Sequence, residues 1–387
     1  MTQAPARGFP TSEFQTRTAA AQRLMAQAGL SALLLTTEPE VRYYTGFLTR
    51  FWESPTRPWF VIVPASGTPI AVIPSIGAHL MRQTWVVDIR TWQAPDYVDD
   101  GISLLADALR EVVPLGGAFG IADQMESHAR MPRADLQRLQ TLLGDRTLAG
   151  DAQITRRLRM IKSTDEVAKI QHAAGIADRA FDRVDEFARA GTPLSQVFRS
   201  FQAMCLMEGA DWVPYLAGGA DAGGYGDVIS PASDDPLQTG DVLMLDTGLV
   251  WDGYFCDFDR NFSIGPAAVA VQTAHGRLID ATHAAFEIAK PGAMISDLFH
   301  AMNAVTIPDG AVQDAGRLGH GLGMQLTEWP SIIAADHTPL EAGMVLTLEP
   351  CVDLGNGKIM VHEENIVIGA NGATYLSTPQ DSSIRTL

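Results

Sequence analysis

The sequence has little cysteine, little positive charge and no long apolar run, and each shortage excludes a class of protein. Three cysteines, Cys205, Cys256 and Cys351, are spread along 387 residues. That spacing provides neither a disulfide framework nor a paired-cysteine metal knuckle. The 28 basic residues are outnumbered by 45 acidic ones, which gives a net charge of −17. Such a balance argues against binding to nucleic acid or to an anionic membrane, because both recruit Lys and Arg.

The chain also lacks the segments that direct a protein into or across a membrane. No stretch approaches the roughly 18 apolar residues of a transmembrane helix. The opening residues, MTQAPARGFPTSEF, contain no apolar region of a secretory signal. We therefore expect a cytoplasmic protein, a compartment that also suits the few unpaired cysteines.

The length predicts two domains, since a domain usually spans about 100–200 residues. In residues 1–152, helical and apolar strand patterns alternate, which indicates an α/β domain with a hairpin at residues 59–74. In residues 153–387, longer strands occur in pairs separated by helices, which indicates an α+β domain. Its first helix begins at a capping box, Ser163 to Glu166, and is predicted to reach about residue 190.

Five polar residues in the second domain lie at the ends of apolar strands or inside them. They are Asp246, Asp257, His320, Glu349 and Glu364. Buried carboxylates are costly unless something neutralises them, and four together would repel one another unless cations lay between them. Four carboxylates and one imidazole are enough to hold two divalent ions.

Each of these residues also has an ordinary explanation when it is taken alone. Asp246 could cap a turn, His320 could be a loop residue between glycines, and Glu349 could simply end a strand before Pro350. Glu363 competes with its neighbour Glu364, and because strand neighbours point to opposite faces, only one of the two can face a metal. The residues alone leave the metal site open.

The order of these segments resembles the catalytic domain of the pita-bread metallopeptidases, which include prolidase, aminopeptidase P, methionine aminopeptidase and the related creatinase. LDTGLVWDGYFCDFDRNF resembles their two-aspartate hairpin, with Arg260 in the usual arginine place. GHGLG resembles their histidine loop, PLEAGMVLTLEP their first glutamate strand, and HEENIVI their last. More loosely, EVRYYTGF is similar to the creatinase-type amino-terminal domain.

The resemblance implies a creatinase-like amino-terminal domain at 1–152 and a pita-bread catalytic domain at 153–387. It also implies a dinuclear centre held by Asp246, Asp257, His320, Glu349 and Glu364, with Glu364 preferred to Glu363 because it directly precedes NIVI. Two divalent ions, Mn, Fe or Co with Zn possible, would activate a water that attacks an amide. Glu349 would act as general base and then as general acid. The implied enzyme is an Xaa-Pro dipeptidase or aminopeptidase, and a homodimer.

The chain departs from that family where substrate is bound. The segment before Asp246 has no histidine, and its nearest candidates are Tyr225 and Asp227. Thr327 stands where the peptidases have a second histidine. Since a histidine can donate to an oxyanion and carry protons near pH 7, its loss suggests a poor Xaa-Pro peptidase. An alternative is therefore a non-peptide hydrolase or lyase of a small zwitterion, as creatinase and C–S-cleaving relatives illustrate.

An aromatic loop in the first domain offers a further candidate for substrate contact. The aromatic loop TRFWESPTRPWF contains Trp52, which could either pack at the domain interface or reach the active site of a partner subunit together with Arg50 or Arg57. We expect Trp52, Tyr225 and Thr327 to contact substrate. A catalytically inactive scaffold is the third functional class, but the intact set of candidate ligands argues against it.

Overall fold

A computed structural model describes residues 3–54, 58–307 and 316–387. Arg57 therefore lies outside the described residues. The chain divides into two compact units: Ala6–Arg159 forms one, and Met160–Leu387 together with residues 3–5 forms the other. No helix within the described ranges is both long enough and apolar enough to span a bilayer.

The first unit is built on a six-stranded mixed sheet flanked by helices. Its elements in chain order are α1 (Thr11–Ala28), β1 (Leu30–Leu35), α2 (Glu38–Thr45), β2 (Phe60–Pro64), β3 (Ile70–Pro74), α3 (Ala78–Met81), β4 (Asp88–Trp92), α4 (Ile102–Val112), β5 (Ala118–Ile121), α5 (Arg133–Leu143), β6 (Thr147–Gly150) and α6 (Ile154–Met160). The strand order is β4-β3-β2-β1-β5-β6. The apolar side of α4, which includes Leu105 and Leu109, is fully buried against this sheet.

Trp52 packs inside this first unit. Its side chain is buried, and its ring centroid lies 6.0 Å from that of Trp59. The Arg130 guanidinium lies 5.3 Å from the Trp52 ring centre and donates a hydrogen bond to the Trp52 carbonyl oxygen. These contacts all lie within the first unit, so packing at a domain interface stays a prediction. A contact between Trp52 and substrate in a partner subunit stays a prediction.

The second unit contains two five-stranded sheets, one two-stranded sheet and four helices in the ranges that the structure describes. Its elements are α7 (Thr164–Asp182), α8 (Leu194–Met207), β7 (Trp212–Ala222), β8 (Asp241–Trp251), β9 (Tyr254–Phe255), β10 (Phe258–Ser263), α9 (Val269–Ile288), α10 (Ile295–Thr306), β11 (His320–Gly321), β12 (Glu328–Ser331), β13 (Val345–Leu348), β14 (Cys351–Gly355), β15 (Lys358–Val361), β16 (Glu364–Ile368), β17 (Ala373–Tyr375) and β18 (Arg385–Thr386). One large sheet runs β18-β10-β8-β7 with β9 beside β8, and the other runs β12-β11-β13-β16-β17.

The opening helix of this unit begins where the capping box predicts and ends earlier than expected. The Ser163 side chain accepts a hydrogen bond from the Glu166 main chain, and the Glu166 side chain accepts one from the Ser163 main chain. The prediction that the helix reaches about residue 190 is wrong, because α7 ends at Asp182. A short 3-10 turn follows and allows Val184 and Ala188 to enter the core.

Strand β8 is longer than the apolar pattern predicts. Asp246 was expected to end it, but the strand continues to Trp251 and is buried along its whole length. Asp246 therefore lies in the middle of a central strand, between β7 and β10. Asp246 is only 5% exposed, and a carboxylate so far removed from bulk water needs a charged or hydrogen-bonding partner.

Candidate metal centre

The two aspartates come together because β8 and β10 are antiparallel neighbours. Asp246 lies within β8, and Asp257 lies immediately before β10. The Asp257 main chain is fixed from the other large sheet: its N–H donates to Asn365 Oδ1 at 3.0 Å, and its carbonyl accepts from Asn365 Nδ2. Asp257 is thereby held at the junction of the two large sheets, and its side chain is buried.

His320 and Glu349 approach Asp257 from the second large sheet. His320 Nε2 lies 3.1 Å from Glu349 Oε1 and 3.4 Å from Asp257 Oδ2. The other ring nitrogen, Nδ1, lies 2.8 Å from the Gly321 carbonyl oxygen. Because that oxygen can only accept, Nδ1 carries a hydrogen, and Nε2 is the ring nitrogen that faces the two carboxylates. This orientation leaves Nε2 as the nitrogen that would ligate a cation.

Glu363, and not the predicted Glu364, faces the aspartates. Side-chain hydrogen bonds join β10 to the segment opposite in steps of two residues: Asn365 to Asp257, Asp259 to Glu363, and Asn261 to Val361. Odd-numbered residues of both segments therefore share the face that contains the site. Asp246, Asp257 and Glu363 each offer an oxygen, and these atoms lie within 4.8 Å of one another.

Glu364 points to the opposite face and is occupied there. Arg260 Nη2 lies 3.1 Å from its Oε2, the Ser377 hydroxyl donates to the same oxygen, and the Gln380 main chain donates to Oε1. The preference for Glu364 as the last ligand is therefore corrected to Glu363. Only one of the two neighbouring glutamates can face the site, and that residue is Glu363, while Glu364 faces away from it.

The clustered carboxylates disfavour one another's charged forms. Burial raises the pKa of Asp246 to about 8, and the nearby charges of Asp259 and Glu349 contribute. Burial raises the pKa of Asp257 well above its usual range, with further contributions from Asp246 and Glu349. The pKa of Glu363 rises in the same way, first through burial and then through Asp246. In a metalloprotein, bound cations neutralise the negative charge of such a cluster, which protons would otherwise neutralise.

The donor atoms fit two cations that share one ligand. Asp257, His320 and Glu349 form one group of possible ligand atoms, and Asp246, Asp257 and Glu363 form a second. Asp246 Oδ1 is buried and has no hydrogen-bond partner among the described residues. An orphaned buried carboxylate oxygen is rare in folded proteins, and a cation between the two aspartates would satisfy it. Oxygen with one imidazole suits Mn²⁺, Fe²⁺, Co²⁺ or Zn²⁺.

Thr327 lies beside this centre, as its sequence position predicted. Its hydroxyl oxygen is 3.5 Å from His320 Nε2 and accepts a hydrogen bond from Arg317 Nη2 at 3.3 Å. The loop that carries Thr327 is fixed by Glu328, whose Oε1 accepts from the Met324 main chain at 2.9 Å. A polar hydroxyl is therefore positioned next to the candidate ligands.

Tyr225 and Asp227 serve the fold instead of facing the centre. The Tyr225 hydroxyl is buried; it accepts from the Val361 main chain at 2.7 Å and donates to Asn261 Oδ1 at 3.2 Å. Asp227 is exposed, and its side chain accepts from Ile229 and Ser230 in a turn. The expectation that Tyr225 binds substrate is not supported, because its hydroxyl is used to connect three segments of the second unit.

Three residues near the centre were not recognised from the sequence. Burial and the charges of Asp246 and Glu363 raise the pKa of Tyr215, which lies on β7 beside β8. Asp259 is fully buried and pairs with Asp246 in the β8–β10 register. The positive charge of Arg317 lowers the pKa of Asp257, although burial raises it overall. The DFD alternation in CDFDRNF was the available signal for Asp259, since alternate strand residues share a face.

Comparison with known proteins agrees with this architecture. Residues 168–370 match the family model of metallopeptidase family M24, and residues 17–161 match that of the creatinase/prolidase N-terminal domain. A probable dipeptidase, PepE, of Mycobacterium tuberculosis is 28% identical over 374 residues, which cover 96% of each protein.

Solved structures resemble the whole chain as well. The dipeptidase PepE from Mycobacterium ulcerans is 28% identical with a TM-score of 0.84, covering 98% of this chain and 99% of that one. A prolidase from Thermococcus sibiricus has a TM-score of 0.86 at 22% identity, covering 97% and 99% respectively. At that identity, the prolidase likeness shows the fold alone: a creatinase-type amino-terminal domain followed by a pita-bread domain.

Proposed function

This chain belongs to metallopeptidase family M24, and from that premise we propose that it is a dipeptidase with a dinuclear metal centre. The observation that carries the proposal is the pair of donor groups that share Asp257. One group adds His320 and Glu349, and the other adds Asp246 and Glu363. A carboxylate common to both groups can bridge two cations, which is the arrangement that hydrolytic two-metal sites require.

The bound cations would lower the pKa of a water molecule towards neutrality and polarise the carbonyl of the scissile bond. The residues of the chain then have separate tasks. The hydrogen bond from Nδ1 to the Gly321 carbonyl oxygen orients the His320 ring so that Nε2 faces the candidate ligands. Glu349 is partly exposed, with 16% of its side chain accessible, whereas His320 and Asp257 each expose 5%. Glu349 is thus more accessible to an entering substrate than His320 or Asp257, and we assign it the proton transfer to the leaving nitrogen.

Thr327 takes the place beside His320 as a hydrogen-bond donor. Its hydroxyl accepts from Arg317, and with His320 Nε2 bound to a cation its hydrogen would be free to donate to a substrate oxygen. A threonine donates but holds no positive charge, so it can position a carbonyl without acting as a proton carrier. We expect an enzyme that accepts dipeptides and is slower on Xaa-Pro bonds than an enzyme with an imidazole in this position.

The hydroxyl in that position also keeps a second candidate function open. A small zwitterionic amide or a related compound, cleaved by a hydrolase or lyase, would need less proton shuttling from the protein than a peptide needs. The relatives from M. tuberculosis and M. ulcerans are named a probable dipeptidase and a dipeptidase, which favours the first candidate.

We further propose that the enzyme acts in the cytoplasm as a homodimer. A monomer in light scattering at micromolar concentration would contradict the dimer.

A substrate panel on the metal-loaded protein tests the function. The purified chain is reconstituted separately with Mn²⁺, Fe²⁺, Co²⁺ and Zn²⁺ and is assayed on Leu-Ala, Ala-Ala, Leu-Pro, creatine and glycine betaine. The expected result is a kcat/KM of about 10⁴–10⁸ M⁻¹s⁻¹ on at least one dipeptide, lower values on Leu-Pro, and none in Asp257→Asn. Turnover of creatine or betaine alone would establish the second candidate and contradict the first.

A further inference from the structure

Asp259 is a buried carboxylate at the metal centre that belongs to neither group of candidate ligands. Its side chain has no solvent exposure, and it lies directly opposite Asp246 in the β8–β10 register. Paired residues of antiparallel strands place their side chains on the same face. Asp259 on β10 and Asp246 on β8 therefore project from the same face of the sheet.

The two oxygens of Asp259 have different surroundings. Oδ1 accepts a hydrogen bond from the Glu363 main-chain N–H at 2.8 Å and lies 3.3 Å from His362 Nδ1. Oδ2 is buried and has no hydrogen-bond partner among the described residues. Oδ1 thus fixes the backbone that carries a candidate ligand, while Oδ2 is a buried acceptor without a donor. A buried acceptor left in that state needs a donor or a positive charge.

The cost of burying this carboxylate is only partly offset inside the protein. His362 lies between Asp259 and Glu364, with its Nε2 3.2 Å from Glu364 Oε1. Although burial lowers the pKa of His362, the hydrogen bonds to these two carboxylates raise it overall. Glu364 has Arg260 as a further cation. Asp259 shares the His362 imidazole with another carboxylate, so a cation on its other side would offset the remaining cost of its burial.

We propose that Asp259 is a positioning residue of the metal centre, which holds the Glu363 main chain through Oδ1 and places the negative charge of its carboxylate near the cation that Asp246 would bind. The proposal rests on the metal centre of the proposed function. It assigns Asp259 no direct bond to a cation, since its oxygens fall outside both groups of ligand atoms. Outer residues of this kind typically change metal affinity by about 10–100-fold when they are replaced.

Asp259→Asn tests the charge separately from the shape. Asparagine keeps an oxygen that can accept from Glu363 and removes only the negative charge. The control is Asp182→Asn, because Asp182 is an exposed carboxylate outside the site. Mn²⁺ affinity is measured on the metal-free proteins by competition with a chromogenic chelator, and the melting temperature of each metal-free protein is measured alongside. Asp259→Ala, which also removes the acceptor for Glu363, is measured as a second variant.

We expect the affinity of Asp259→Asn for Mn²⁺ to fall about tenfold or more, with the metal-free melting temperature within about 2 °C of wild type and Asp182→Asn unchanged. Asp259→Ala should bind more weakly still. An affinity within twofold of wild type in Asp259→Asn overturns the proposal, and so does a loss of affinity matched by a lower metal-free melting temperature, because a purely structural residue gives that result. A wild-type protein that binds no Mn²⁺, Fe²⁺, Co²⁺ or Zn²⁺ would instead contradict the proposed function itself.

Discussion

Arg260 and Glu364 form a buried ion pair, with Nη2 3.1 Å from Oε2 and both side chains almost inaccessible to solvent. Burial alone would raise the pKa of Glu364, but the charge of Arg260 and the hydrogen bond from His362 bring it to about 2. Arg260 also donates to the carbonyl oxygens of Glu363 and Thr378. The pair therefore anchors the back of strand β16, while the adjacent residue Glu363 faces the opposite side.

The two neighbouring glutamates should consequently respond differently to the same substitution. Glu363→Gln removes a candidate ligand, and we expect the metal content, measured by mass spectrometry after reconstitution with Mn²⁺, to fall to about half of wild type. Glu364→Gln leaves the ligand atoms in place but removes the partner of Arg260. We expect near-normal metal content and a loss of about 3–5 kcal/mol in the free energy of unfolding.

A reversed pattern would show that the strand presents the other face to the cations. That pattern is full metal content in Glu363→Gln together with depleted metal in Glu364→Gln. Both variants are isosteric with wild type, so a difference between them reports the position of the charge and not a change of shape.

A graded loss of metal should identify the shared ligand. Asp257 is common to both groups of ligand atoms, whereas Asp246 belongs to one and His320 to the other. Asp257→Asn is expected to retain little of either ion, while Asp246→Asn and His320→Gln should each retain about one ion per chain. The measurement is metal content after gel filtration. Equal retention in all three variants would contradict the bridging position of Asp257.

The chain order of the candidate ligands was accessible from the sequence because their types and their apolar strand context are local features. The choice between Glu363 and Glu364 was not, because it depends on which face of β16 meets β10. That face is set by contacts between residues more than one hundred positions apart, such as Asn365 with Asp257 and Arg260 with Glu364. The sequence-based choice relied on adjacency to the apolar NIVI segment, which does not determine orientation.

The surroundings of the centre were difficult to predict from the sequence for a related reason. Tyr225 was selected as the nearest donor in a glycine-rich loop, but the loop folds so that the hydroxyl meets Asn261 and Val361. Tyr215 lies on the strand before that loop and reaches Asp246 across the β7–β8 pair. Glycine-rich segments impose little register of their own, so only the folded sheet determines which tyrosine approaches the site.

The stability of the protein should depend on pH through Asp178. Burial raises the pKa of Asp178 to about 6 from an ordinary value of 3.8, although Arg260 and Thr378 lower it in part. Its protonated form is therefore favoured in the folded state, so the stabilisation present below pH 3.8 is lost as the pH rises through about 6. Asp178→Asn cannot ionise, and its melting temperature relative to wild type should increase between pH 4.5 and pH 8.

Asp182→Asn is the matched control for that pH series, because Asp182 lies one turn further along α7 and is exposed. Its difference from wild type should stay flat across the range. A flat difference for Asp178→Asn as well would mean that Asp178 titrates alike in the folded and unfolded chains. The comparison is made by scanning calorimetry at constant ionic strength, since the Arg260 pair is sensitive to salt.

The loop that positions Thr327 should depend on one buried ion pair. Lys162 Nζ lies 3.1 Å from Glu328 Oε2, and both side chains are 2% exposed. The other Glu328 oxygen accepts from the main chains of Met324 and Gln325, so the same carboxylate orders the turn before Thr327.

Lys162→Met removes the cation and leaves a buried charge, which typically costs about 3–5 kcal/mol. In urea unfolding at pH 7, we expect that loss for Lys162→Met, less than about 0.5 kcal/mol for the exposed control Lys290→Met, and partial recovery in Lys162→Met/Glu328→Gln. The recovery follows because the glutamine amide oxygen still accepts from the turn, whereas the unpaired charge has gone. If the double variant is no more stable than Lys162→Met alone, the loss arises from packing around the lysine stem and not from the unpaired, buried charge of Glu328.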